Sequence, residues 1–186
     1  MENIELDSRA MRVLAHPLRS RLLSALRLHG PANATALAAR LGTNTGATSY
    51  HLRKLAEVGL VEETGEGTGK QRFWAAAQDS HSWRNTRFDA DPDARAAAAW
   101  LRRQQLRYLV ERVEHWERER ERWPEPWRDA ASMSDVILEL SAGQLEELTH
   151  ELFAVLLRYR DQPPAPDSRQ VVVHLIGTPA EPGDAP

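Results

Sequence analysis

Through the first third of the chain, apolar residues recur every three or four positions in short runs separated by glycine. In ALAARLG, Leu37 and Leu41 lie four apart on one face, and Gly42 follows where a helix has to be left sharply. Asn44 is placed to cap a second helix. In that helix Thr48, Leu52 and Leu55 form the inward stripe with His51 at its edge, which turns Thr45, Gly46, Ser49, Tyr50 and Arg53 outward. Two short helices joined by a tight turn, the second with a small, polar outer face, are the layout of a helix-turn-helix. Upstream, HPLRSRLLSALRLHG sets Leu18, Leu22, Leu23 and Leu26 at helical spacing, with Pro17 suited to the first turn and Gly30 to the end. Downstream, LVEETGEGTGKQRFWAA reads as two extended runs around a tip with Gly65, Gly67 and Gly69, a β-hairpin that would form a wing.

The pattern then changes. Residues 78–92 have no hydrophobic period and predict a polar connector, with Trp83 and Phe88 as packing points. From Ala94 to about Trp123 a helical period returns, long enough for a rod of ~45 Å. Leu106, Leu109, Val113, Trp116 and Trp123 trace a heptad seam interrupted at Arg120, which predicts self-association along this helix; an intramolecular packing face is the alternative. ERERER (117–122) fits a solvated face of mixed charge, and the prolines of WPEPW end the rod. Beyond it, VILEL (136–140) predicts a strand and SAGQ (141–144) a capping box. The stripe Leu145, Leu148, Leu152, Val155, Leu156 and Tyr159 predicts a helix, and VVVHLI (171–176) a second strand. The expected fold is therefore mainly α with small β (α+β): a winged helix-turn-helix domain at 1–78, a connector at 79–93, a long linking helix plus β-α-β unit at 94–176 for dimerisation, with sensing as a further role open to it, and a disordered tail at 177–186.

The formal net charge of −3 averages two unlike parts. Ser8 to Trp74 has ten Lys plus Arg against four Glu, whereas residues 76–186 have fourteen Arg against twenty acidic residues. The positive part is the one with the motif, so a phosphate-attracting field coincides with the outward helix face. No apolar run approaches the ~20 residues of a bilayer span, and MENIELDSRAM has no basic start followed by an apolar block, so a cytoplasmic protein with no membrane contact is expected. The absence of Cys removes disulfides, thiolate redox sensing and Cys-based metal sites.

Residues 10 to 77, through HPLRSRLLSAL, LAARLG, TSYHLRKLAEVGLV and KQRFW, resemble the winged-helix domain of the arsenical-resistance-regulator (ArsR)-like transcription factors. The resemblance covers a little over a third of the chain. It implies a dimeric bacterial regulator, usually repressive, whose second motif helix enters the major groove of an operator. On these residues Thr45, Gly46, Ala47, Ser49 and Tyr50 are expected at base edges, with Thr43 and Asn44 on the same surface. Arg53 and Lys54, together with Lys70 and Arg72 from the wing, are expected at phosphates. Gly46 and Ala47 leave few long side chains for direct readout, which shifts weight to DNA shape and to Tyr50.

Two further chemistries are weighed and set aside. His115 has Glu111 and Glu119 one turn to either side, and His150 has Glu146 one turn before it, spacings that permit ligation but that acid-rich helices also produce by chance. No metal or other cofactor is expected, and His16 and His51 read as structural. There is no Gly-rich phosphate loop, nucleophile elbow or Cys nucleophile, so an enzyme is not expected. Trp100, Trp116, Trp123 and Trp127 fit a core or dimer interface better than a pocket for an organic effector, which stays open. The alternatives are a constitutive regulator without effector, and a protein-interaction adaptor that keeps a winged helix without using it on DNA.

Overall fold

The computed structural model of the chain describes residues 3–66 and 72–180. Two compact units divide it, residues 1–108 and 109–186. In the first, β1 (Asn3–Glu5) leads into α1 (Ser8–Leu14) and α2 (Pro17–His29); β2 (Ala32–Asn33) then precedes α3 (Ala34–Leu41) and α4 (Thr45–Ala56). β3 (Val61–Glu63) and β4 (Phe73–Ala76) form the antiparallel wing, and β2 pairs with the other edge of β4. β5 (Ser80–Ser82) runs parallel to β1. A 3-10 turn at Asn85–Phe88 precedes the long α5 (Pro92–Glu119), most of which lies in this unit.

Local chemistry sets most of these boundaries. His16 caps α2, its Nδ1 accepting from the Leu18 N–H at 3.2 Å, and Gly30 ends that helix at φ 79°. Asn33 and Asn44 cap α3 and α4 through the Ala36 and Ala47 N–H groups at 2.9 and 2.8 Å. Gly42 occupies the left-handed region at φ 64°, where a β-carbon is unfavourable, and so makes the turn between the two motif helices. One continuous core holds the unit together, with Leu6, Met11 and Leu14 from the N-terminal segment against Leu22, Leu26, Leu37, Leu52, Leu55 and Trp74. Each such side chain contributes roughly 1.5–3 kcal/mol when fully removed from water.

Three expectations are corrected in this unit. The segment 79–93 is not only a connector: Phe88 packs in the core, 1% exposed, as expected of a packing point, but the segment also supplies β5, which was not expected. The long helix runs from Pro92 to Glu119, followed by a 3-10 turn at Arg120–Arg122, instead of from Ala94 to Trp123. Its start also does not belong to a separate C-terminal domain, since Ala94, Ala98 and Leu101 are buried in the first unit's core. The unit boundary therefore falls inside α5, after Tyr108.

The second unit contains the end of α5, α6 (Glu125–Ala130) and α7 (Ala142–Arg160). Pro124 caps α6 and Pro126 occupies its first turn, so WPEPW stops one helix and starts another. Ser141 and Gln144 form the expected capping box of α7. The β-α-β expectation is only half met. The helix is present, but among the described residues neither 136–140 nor 171–176 is joined to another strand. A segment of strand-like composition becomes a strand only when a ladder forms with a partner edge. Of the predicted disordered tail, residues 181–186 lie outside the described residues.

Candidate nucleic-acid interface

The inward stripe of α4 is buried as its spacing requires: Thr48, Leu52 and Leu55 are all fully enclosed. The Thr48 hydroxyl donates to the Asn44 carbonyl at 3.0 Å, which satisfies the one buried polar side chain of the stripe. That registration fixes the opposite face. Thr45, Gly46, Tyr50 and Arg53 are exposed, Ala47 and Ser49 half-buried beside them. Tyr50 is 50% exposed, with its ring lying against His51 and Lys54 on the inner side. Thr43 lies in the turn, its N–H donating to the Ala38 carbonyl at 2.9 Å, and Asn44 is committed to capping.

The cations are less free than the sequence suggests. Lys54 Nζ bonds both carboxylate oxygens of Glu57 at 2.9 Å and lies 5.9 Å from the centre of the Tyr50 ring. Arg72 on the wing pairs with Glu63 across the β3–β4 hairpin at 2.6 Å. Arg53 stays on the helix surface, its Nε donating to the Ser49 carbonyl at 3.1 Å. Lys70 and the wing-tip glycines Gly67 and Gly69 lie outside the described residues.

Between the start of α3, the start of α4 and the wing runs a cleft of about 340 Å³ lined by Asn33, Thr35, Thr45, Ser49, Arg53 and Arg72, with Ala34 and Trp74 behind them. Sequence reasoning missed Asn33 and Thr35, because only folding brings the first turn of α3 beside Arg53 and Arg72. The signal that could have found Asn33 is its capping position, since a capped helix start presents N–H groups at the surface. The cleft mixes polar and apolar walls and is bordered by the guanidinium groups of Arg53 and Arg72, a chemistry that suits phosphate oxygens.

Behind Tyr50, His51 stacks on His16 with ring centres 4.4 Å apart and meets the Tyr50 ring edge-on at 5.1 Å. Burial, with Arg19 nearby, holds both imidazoles below their usual pKa, and His16 adds to the effect on His51. Both are placed as structural side chains that fix the α2–α4 contact under the exposed face. Elsewhere, Glu119 bonds Arg122. Among the described residues no group of three or more His or acidic side chains gathers where a metal could bind. Nor is any helix long and apolar enough to cross a membrane.

Of the four tryptophans considered for a pocket, Trp100 packs against the first unit's core. Trp116, Trp123 and Trp127 form a chain of ring contacts at 5.8 and 6.1 Å where α5 ends. Of the expected seam, Leu109, Val113, Trp116 and Trp123 are half-buried, while Leu106 is exposed and falls in the first unit.

Residues 14–64 match the family model of a helix-turn-helix domain. This span takes in α2, α3, α4 and β3, and the hairpin completed by β4 makes the domain a winged helix-turn-helix, the class to which DNA-binding regulators of transcription belong. The match is consistent with the ArsR-like resemblance of the motifs. No curated protein matches the chain. Among solved structures, it is similar to the homodimeric winged helix-turn-helix DNA-binding domain of a possible ArsR-family transcriptional regulator from Mycobacterium bovis. That similarity is 24% identity over 58% of this chain and 77% of the other, with a TM-score of 0.33. It is also similar to RV1404 from Mycobacterium tuberculosis, at 15% identity over 81% of each chain and a TM-score of 0.33.

Proposed function

We propose that the protein is a sequence-specific DNA-binding transcriptional regulator that acts as a homodimer, a repressor of ArsR-like type. The observation that carries this reading is the outward face of α4. Thr45, Gly46, Ala47, Ser49 and Tyr50 form a low, polar surface without acidic side chains, and Arg53 and Arg72 border a cleft beside it. Such a surface can approach base edges closely while the guanidinium groups hold the backbone. An adaptor that had abandoned DNA would have no need to keep that face clear of apolar and acidic groups. Self-association through α5 at Leu109, Val113, Trp116 and Trp123 would set two copies of α4 on successive major grooves. A regulatory organic ligand is a secondary reading, supported by the tryptophan cluster at the end of α5.

Mobility-shift titration of genomic fragments at two salt concentrations tests the proposal. The expected outcome is retention of a small set of fragments with two-fold-related sites, with affinity falling steeply as salt rises. Equal binding to every fragment, or none at low salt, would overturn it.

A further inference from the structure

Behind the outward face of α4, aromatic side chains stand in series. His16, at the cap of α2, stacks on His51 with ring centres 4.4 Å apart and planes inclined at 35°. His51 in turn meets Tyr50 edge-on at 5.1 Å and 73°, and Lys54 lies 5.9 Å from the centre of the same Tyr50 ring. An exposed tyrosine otherwise exchanges among staggered side-chain positions, and neighbours against its ring narrow that choice. The support is itself anchored. His16 Nδ1 accepts the Leu18 N–H at 3.2 Å, which ties its ring to the backbone of α2. Two atoms in this region, His51 Nδ1 and Arg19 Nε, are buried without a hydrogen-bond partner. A buried polar atom left unsatisfied is destabilising, so apolar side chains would hold α2 to α4 more firmly than these imidazoles do.

We propose that the His16–His51 stack is a positioning device for base recognition: it holds Tyr50 in the orientation that reads the operator, so that two side chains behind the DNA-facing surface set part of its sequence specificity. The inference rests on the reading of α4 as the recognition helix and adds to it two residues outside that helix's outward face. The same geometry makes the support titratable. A proton on either ring places a cation 4.4 Å from the other imidazole, and a proton on His16 Nδ1 also removes the acceptor that Leu18 uses. Both changes part the stack and free Tyr50. The charges that act on the pair are cationic: Arg19 of α2 on both rings, and His16 on His51. Among the other elements packed on α4, α1 carries Arg9 and Arg12, α3 carries Arg40, and β3 carries Glu62 and Glu63. All five are exposed, and none is among the charges that shift either ring.

Binding of the full chain to two duplexes tests it: the genomic fragment retained most tightly in the mobility-shift screen, and a shuffled duplex of the same composition. The measured quantity is the ratio of the two affinities. His51→Ala should lower that ratio on the order of ten-fold, as Tyr50→Ala does, through the lost base contact. In the Tyr50→Ala background it should add nothing, because the two side chains act as one unit. His51→Phe keeps a ring against Tyr50 and should restore most of the ratio. His16→Asn keeps a capping acceptor but removes the stacked ring, and should lower the ratio as His51→Ala does; it carries the test if His51→Ala does not fold. Imidazole resonances locate the pH interval in which His16 and His51 titrate, and across it the wild-type ratio should fall with acid, and fall less in His51→Phe. Additive losses in the double variant, or a wild-type ratio that stays level across that interval, would overturn the inference. Tyr50→Ala lowering the ratio while His51→Ala and His16→Asn leave it unchanged would overturn it too, with the DNA-binding reading intact. A wild-type chain with no preference for any duplex would overturn both.

Discussion

On the proposed function, individual residues divide the interface into readers and holders. Tyr50 projects from the centre of the outward face, so Tyr50→Ala should change the preferred site, at ~1 to 3 kcal/mol if a base contact is lost. Arg72→Ala should instead weaken all sequences more evenly and flatten the salt dependence. Titration against specific and random duplexes separates the two, and equal losses on both DNAs for both variants would contradict the division. Away from the interface, His81 is buried beside Arg27, whose Nη1 lies 2.6 Å from its Nδ1. Burial first, and the Arg27 charge second, push its pKa down to about 4. The folded protein therefore binds fewer protons than the unfolded chain, whose imidazole titrates near 6.5. The stabilisation is complete above pH 6.5, declines as pH falls, and is exhausted near pH 4, a total of about 3 kcal/mol. His16, His51 and His174 act in the same direction, so the contribution is read as the difference between wild type and His81→Gln in urea unfolding from pH 7.5 to 4.5. Parallel curves for the two proteins would refute the assignment.

Elements were legible in the sequence where their cause is local. Leu37, Gly42, Asn44 and Thr48 fix two helices, a turn and a buried face within a dozen residues, and the outward face of α4 follows from them. Asn44→Ala should accordingly cost about 1 kcal/mol of stability, measurable by urea unfolding, with fraying of the first turn that bears Thr45 and Gly46. An unchanged midpoint would show that the turn alone holds the helix start. Where the cause is distant, the sequence was silent. The pairing of Ile4 with His81 joins three-residue strands more than seventy positions apart, and neither strand has a period of its own. Phe88 and Trp83 were legible as packing points of an otherwise polar stretch, but not the depth of their burial, which their surroundings decide. The segments 136–140 and 171–176 failed in the opposite way: their composition favours strands, but a ladder needs a partner edge, which composition does not supply.

At the scale of the molecule, hydrophobic burial and charge are both unevenly distributed. Among the described residues the buried core is confined to the first unit, in which most Lys and Arg of the motif also reside. A chain ending after Tyr108 should therefore unfold cooperatively as a winged helix and bind single half-sites. It should lose at least ~100-fold in affinity for the full operator, because the gain from linking two half-sites depends on the remaining residues. Calorimetry together with mobility shifts checks this, and full operator affinity in the truncated chain would place the dimer contacts within residues 1–108.

The ion pair between Arg72 and Glu63 has a consequence for selectivity. A phosphate that takes Arg72 must displace a carboxylate already 2.6 Å away, and that carboxylate then remains beside the DNA as a like charge. On the proposed function, the wing would handicap every DNA equally, and only a site that adds contacts along α4 would overcome the handicap. Glu63→Gln should tighten binding to random duplex and to the operator by about the same factor, leaving the ratio between them unchanged; a change in that ratio would show that the ion pair acts on one class of site only. An acidic residue that touches no base would then set how weakly every sequence is held, so that at a given protein concentration only the tightest site stays occupied.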